Sequence, residues 1–354
     1  MHFLSGFLLS LPLASLAGHK SRSFGQNHRR AALKARNTTS TYVLEDYYQG
    51  QSFLNSSLWT FFDDTDPTAG LVNYQSSSDA QSKGLAYVQD DGTTVLAVDN
   101  TTTLTSGQYR DSVRIATTKS YNGGLFIADF YAMPYGCATW PAFWSVGPNW
   151  PDQGEIDIIE GVNLNTHNQL TLHSGADCAI ESTLSSLVSG NSTIGNLQCA
   201  SSASSNTGCT YIDNDARSYG QGFNQQGGGV YAMDWNTDAI KMWFFSRDDI
   251  PSDITEKSPN PSSWGEPAAL FSNSACDIGS HFSEHTLTIN TDVCGGWTES
   301  AFSSSGCSGT CADTVADPSN FDSEFLYSIL FTAKYQTGVT DARWKINYIA
   351  TYQS

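Results

Sequence analysis

No stretch of this chain carries a sustained helical period. It is a succession of short alternating runs, and that pattern restricts it to all-β folds. The runs are Leu85–Val88, Thr94–Val98, Leu125–Tyr131, Gln169–Ser174, Val230–Trp235, Ile240–Phe245, Thr286–Asn290 and Ser328–Ala333. Gly, Asn, Asp and Ser separate them, and Trp344 to Tyr352 reads as a further strand. Short strands at regular spacing with turn residues between them predict an antiparallel β-sandwich. Ser- and Gly-rich stretches at 182–208, 219–229 and 302–312 read as decorated loops, because strand patterns resume after each.

One run departs from ordinary strand composition. Residues 154–161 read Gly-Glu-Ile-Asp-Ile-Ile-Glu-Gly. Alternation places Glu155 and Asp157 on one face and would send Glu160 to the other. One extra residue at Ile158-Ile159, a β-bulge, returns Glu160 to the face of the other two. Three acids on one face repel one another and resist burial, so packing gives no reason to gather them. The plain alternative is a solvated acidic face. Glycoside hydrolysis offers a reason instead, since it needs an ionised and a protonated carboxyl at one bond.

Upstream lie Trp140-Pro141-Ala142-Phe143-Trp144 and Gly147-Pro148-Asn149-Trp150-Pro151. Three of the nine tryptophans fall in eleven residues just before the acids. Indole planes suit the C–H faces of sugar rings and leave an N–H for a hydroxyl. Trp140 and Trp144 also fit a core, whereas Asn149 and Pro151 place Trp150 on a loop. Downstream, Leu170-Thr171-Leu172-His173-Ser174 reads as the next strand, from which His173 reaches toward the acids.

These segments, with Tyr121 to Phe130, resemble glycoside hydrolase family 16, and the two residues between Asp157 and Glu160 resemble its laminarinase-type endo-1,3(4)-β-glucanases. The resemblance runs from about Tyr42 to the C-terminus. It implies a concanavalin A-like jelly roll of two stacked antiparallel sheets, with a concave sheet as substrate cleft. It implies Glu155 as nucleophile, Glu160 as acid/base, Asp157 as their modulator and His173 in support. It nominates Trp297, in Cys294-Gly295-Gly296-Trp297, for a second aromatic wall beside Trp140, Trp144 and Trp150. Asn73, Tyr74 and Arg114 fall where the family has sugar-contacting polar groups.

Residues 1–17 read as a secretory signal peptide, and 18–36 as a basic pro-segment or disordered arm. Residues 37–354 then form a single catalytic domain. Residues 1–36 hold six of the seventeen Lys and Arg and none of the thirty-five acids. Eleven basic side chains remain against thirty-five acidic ones, a formal charge of −24. Such a surface repels nucleic acid and suits a neutral polymer. Eight cysteines and four Asn-x-Ser/Thr sequons, at Asn37, Asn55, Asn100 and Asn191, agree with export. The eight cysteines allow 105 disulfide arrangements. Cys307-x-x-x-Cys311 has no partner pair at zinc-site spacing, so no metal and no cofactor are expected.

The expected protein is a secreted, extracellular, monomeric retaining endo-β-glucanase acting on β-1,3 and mixed β-1,3/1,4 glucans, with no nucleic-acid or membrane partner. A cell-wall transglycosylase would use the same site and pass the sugar to another sugar. A non-catalytic carbohydrate-binding protein would need the aromatics but not all three acids.

Overall fold

The computed structural model describes residues 42–202, 204–322 and 342–354. The signal-peptide and pro-segment readings and the run Ser328–Ala333 lie outside these. Eighteen strands occur among the described residues. They begin with β1 (Val43–Gln49), β2 (Trp59–Phe61), β3 (Val72–Tyr74), β4 (Ala86–Val88), β5 (Thr94–Ala97) and β6 (Arg110–Ser112). Next come β7 (Arg114–Thr117), β8 (Gly124–Ala132), β9 (Thr139–Val146), β10 (Glu155–Glu160), β11 (Asn168–His173) and β12 (Ser192–Ile194). The last are β13 (Cys209–Asp213), β14 (Gly229–Trp235), β15 (Ala239–Ser246), β16 (Ala269–Ser272), β17 (Thr286–Val293) and β18 (Arg343–Gln353). Every predicted run inside the described residues is a strand, with ends shifted by at most three residues.

Two eight-stranded antiparallel sheets hold nearly all of them. The first runs β16-β15-β14-β8-β18-β5-β4, with β1 also on β18. The second runs β12-β13-β11-β10-β9-β17-β7-β2, so the acid strand β10 lies in its interior. A small parallel pair joins β3 and β6.

Alternation along the strands explains how the sheets stack. Phe126, Ala128 and Phe130 of β8 join the main core, with Phe143 of β9, Ile156 of β10 and Leu172 of β11. Phe130 meets Phe143 edge-on across the two sheets, ring centroids 5.4 Å apart. The opposite face of β8, Leu125 and Ile127, packs in a second cluster with Val230, Ala232 and Ile254. The long apolar run of β8 therefore reflects burial on both faces.

The stretches read as loops are more structured than composition suggested. A 3-10 helix (Ser182–Leu187) and β12 occupy the first, and the short helix Gly220–Gln225 the second. The third runs into the helix Cys311–Ala316. Four disulfides are formed: Cys137–Cys307, Cys199–Cys209 and Cys294–Cys311 each anchor the first or third stretch, and Cys178–Cys276 joins two further loops. All eight cysteines are used, so neither Cys307 nor Cys311 is free to bind zinc.

Candidate active site

The bulge in β10 is where alternation required it. Asp157 pairs with Trp144 of β9, and Ile159, not Ile158, pairs with the next residue, Phe143. Ile156, Ile158 and Ile159 enter the core, and the three acids share the opposite face. A solvated acidic face is excluded: Asp157 is 1% and Glu160 8% exposed, and Glu155 is half-buried. Gly154 enters the strand at φ +78° with the Phe282 ring against it, which leaves no room for a Cβ.

Burial raises the pKa of all three acids, Glu155 and Asp157 well above the usual carboxylate range. After burial, Asp157 is the main further cause for Glu155, and Glu160 for Asp157. Three carboxylates this close cannot all ionise, so protons are retained among them. Asp157 is the most deeply buried of the three. Its Oδ2 is buried without a hydrogen-bond partner, and its carboxyl shares a hydrogen bond with Glu155. That bond opposes the rise at Asp157, while the Asp157 charge adds to the rise at Glu155.

An indole also lies beside each glutamate. Trp140 Nε1 donates to Glu160 Oε1 at 2.9 Å. Trp150, at the tip of the β9–β10 connection, approaches Glu155 and opposes the rise in its pKa. Both indoles favour the ionised acid and oppose burial. His173 of β11 sits opposite Glu155, its Nε2 3.4 Å from Asp157 Oδ2. Its Nδ1 lies 2.9 Å from Ser201 Oγ. Ser201 orients the ring, and the sequence offers no sign of it. Glu155, Asp157 and His173 present ligand atoms within 4.8 Å of one another, the only such group among the described residues. A cation there would neutralise the carboxylate that the chemistry needs free.

A family model described as an XgeA-like catalytic GH16 domain matches residues 59–352. The chain belongs to glycoside hydrolase family 16. Among its relatives is a probable glycosidase of Schizosaccharomyces pombe, 39% identical over 88% of this chain and 70% of that protein. A probable endo-1,3(4)-beta-glucanase of Aspergillus niger is 41% identical over 89% of this chain, which spans only 40% of that relative's length. GH16 Laminarinase 16A of Phanerochaete chrysosporium has been solved with beta-glucans in both donor and acceptor sites. It superposes with a TM-score of 0.78 at 40% identity, over 89% of this chain and 100% of its own. An elongating GH family 16 beta-1,3-glucosyltransferase superposes at 0.76 and 39% identity, over 88% of this chain and 100% of its own.

The remaining nominated residues of this family 16 site divide by position. Trp297 lies on the short helix Gly296–Ala301 and meets Trp140 edge-on, centroids 5.4 Å apart and planes at 89°. Trp150 is 36% exposed. Trp140, which donates to Glu160, thus links Trp297 to the acids. Trp144 is half-buried, donates to Asn290 Oδ1 at 2.7 Å, and has the Arg114 guanidinium 5.0 Å above its ring. That cation occupies a face that a sugar would otherwise use. Arg114 also lies over Phe62. Tyr74 is 3% exposed, with its hydroxyl 3.4 Å from Asn290 Nδ2. Asn73 is exposed, and its hydrogen bond runs to Asp111 rather than to the acids. Asn290, which links Trp144 to Tyr74, escaped sequence reading because a lone Asn in a strand carries no motif.

Proposed function

We propose that this family 16 domain is a retaining endo-β-glucanase that hydrolyses β-1,3 and mixed β-1,3/1,4 glucans. The observation that carries the reading is the buried acid face, with a distinct partner on each glutamate. Glu155 attacks the anomeric carbon, and Glu160 gives its proton to the departing glycosidic oxygen. The C–O bond breaks as the glycosyl–Glu155 ester forms. Ionised Glu160 then takes a proton from water, whose oxygen attacks the same carbon and releases Glu155. Asp157 holds its proton against Glu155 throughout, and His173, fixed by Ser201, borders that pair. The substrate-binding set is Trp140, Trp150 and Trp297, with Trp144, Arg114, Asn73 and Tyr74 in outer roles.

The four disulfides support action outside the cytosol, and with residues 1–17 as an export signal the enzyme is secreted. One compact unit, Thr41–Ser354, holds the complete acid set, which supports a monomer. The glucosyltransferase relative favours transfer as a second reading, because overall similarity to it and to the laminarinase is nearly equal.

The test is laminarin turnover with early products followed by proton NMR and mass spectrometry. The β-anomer before mutarotation and shortened chains are expected. An initial α-anomer refutes the retaining assignment, and lengthened chains favour transfer. Glu155→Ala loses turnover of every substrate. Glu160→Ala loses glucan turnover but keeps the first step on an aryl glycoside whose leaving group needs no proton.

A further inference from the structure

One buried acid outside the catalytic trio has no part in the mechanism so far. Asp292 lies on β17, paired with Trp140 of β9, and is 2% exposed. Two glycines cradle its carboxyl. A Cβ at Gly70 would fall 2.0 Å from its Oδ1, and one at Gly295 2.0 Å from its Oδ2. A second acid, Asp66, is 8% exposed in the loop that approaches it.

The hydrogen-bond inventory decides the protonation of this pair. Asp66 Oδ2 accepts from the Thr68 N–H at 3.0 Å and the Gly70 N–H at 2.8 Å. The Thr68 hydroxyl lies 2.6 Å from Asp66 Oδ2 and 2.8 Å from Asp292 Oδ2. A hydroxyl has one hydrogen and can donate to one of them only. If both acids were ionised, the other contact would set two unshared oxygens against each other in a buried site. Asp66, with two backbone donors already, is the ionised member. Asp292 must therefore bring its own proton, giving the chain Asp292 O–H to Thr68 Oγ, then Thr68 O–H to Asp66. Its other oxygen, Oδ1, accepts from the Val293 N–H at 2.5 Å, so no further donor is needed there.

That chain ends on the aromatic wall. The Thr68 carbonyl accepts from the Gly296 N–H at 2.9 Å, at the first residue of the helix bearing Trp297. Trp297 packs on Trp140, and Trp140 donates to Glu160. We propose that Asp292 is a positioning residue that works in its protonated form, holding the Asp66–Thr68 loop and the Trp297 helix in place so that glucan binding weakens when the proton is lost.

The surroundings agree. Burial and then Asp66 push the Asp292 carboxyl up to about 7, while Thr68, Val293 and Arg114 oppose the rise. The other titratable groups facing it are Asp66 from the loop, Tyr74 from β3 and Arg114 from β7. Tyr74 stays neutral, since burial holds its pKa well above the ordinary tyrosine value. Beyond Trp140 lies Glu160, and the helix adds Glu299, which is exposed. Proton loss at Asp292 then leaves two facing carboxylates and one hydroxyl hydrogen between them.

The inference rests on the glucan reading above, and its test separates the two. Affinity for a laminari-oligosaccharide is measured by calorimetry at pH 5 and pH 8 on the inactive Glu155→Ala background, which removes turnover. Binding at pH 5 that weakens about tenfold or more at pH 8 is expected. Adding Asp292→Asn supplies an N–H that does not titrate, and should keep affinity at its pH 5 level up to pH 8. Adding Thr68→Ala removes the relay from the loop side and should give weak, pH-independent binding. Tight binding that is flat with pH, or an equal pH step with and without Asp292→Asn, overturns the positioning role. Should the Asn variant not fold, Thr68→Ala decides: affinity like the parent at pH 5 overturns it. No binding at any pH would refute the glucan reading instead.

Discussion

Replacing Trp140 by Phe keeps an aromatic ring beside Trp297 and deletes one hydrogen-bond donor. That donor is the indole N–H placed 2.9 Å from Glu160 Oε1. A hydrogen bond to a charged group contributes about 1.5–3 kcal/mol. The neutral acid retains part of this, so the difference between its two forms is about 1.4 kcal/mol, or about one pH unit. The sign follows from which form the bond favours. The N–H favours ionised Glu160, so its loss raises the carboxyl further above the ordinary range, where burial already holds it. In its proposed role as acid catalyst Glu160 must be protonated, and its ionisation would set the alkaline limb of kcat/KM against pH. Trp140→Phe should therefore move that limb upward by about one unit. Because the trio titrates together, the limb reports the group rather than one residue, but the direction holds. The assay is initial-rate laminarin hydrolysis from pH 4 to 9. A limb that stays in place, or moves down, refutes the claim that this bond tunes the acid.

Two further outcomes follow from the same geometry. Trp150→Ala should weaken laminari-oligosaccharide affinity by about 1–2 kcal/mol with little change in Tm, since the ring is at the rim. Trp297→Ala should lose similar affinity but lower Tm more, because its ring also supports Trp140; a larger Tm loss at Trp150 would return that residue to the core. Thermal stability should fall from pH 5 to pH 8: acids whose folded pKa is raised, Asp292 and the trio, stabilise the fold at low pH, and each loses up to about 1.4 kcal/mol per pH unit as pH rises toward its folded pKa. His285, lowered to about 4 by burial, acts in the opposite sense between about pH 4 and 6.5, so it offsets one of the four; a Tm that rises toward pH 8, measured by calorimetry, contradicts this balance.

Local geometry made much of the site legible before any fold was known. Strand alternation and one bulge are properties of a few consecutive residues, so the shared face of Glu155, Asp157 and Glu160 could be read from eight letters. His173 was legible for a similar reason, because adjacent strands in sequence commonly pair. The same holds for Trp150, which Asn149 and Pro151 mark as a loop residue. Its approach to Glu155 was not legible, since that needs the path of the connecting loop.

By itself, then, the sequence determined the all-β class, the acid strand with its bulge, and the aromatic segment beside it. Tertiary structure decided what lies across those elements. The pairing of eight cysteines is one such choice, since spacing alone leaves 105 arrangements open. The capping of Trp144 by Arg114 is another, and so is the support of His173 by Ser201. The hydrogen bond between Thr68 and Asp292 joins positions 224 residues apart. Nothing within a few residues of either one signals the other. The energy of such a contact depends on strand order and on how far two loops approach, and those are set only when both sheets stack and the whole core is buried at once.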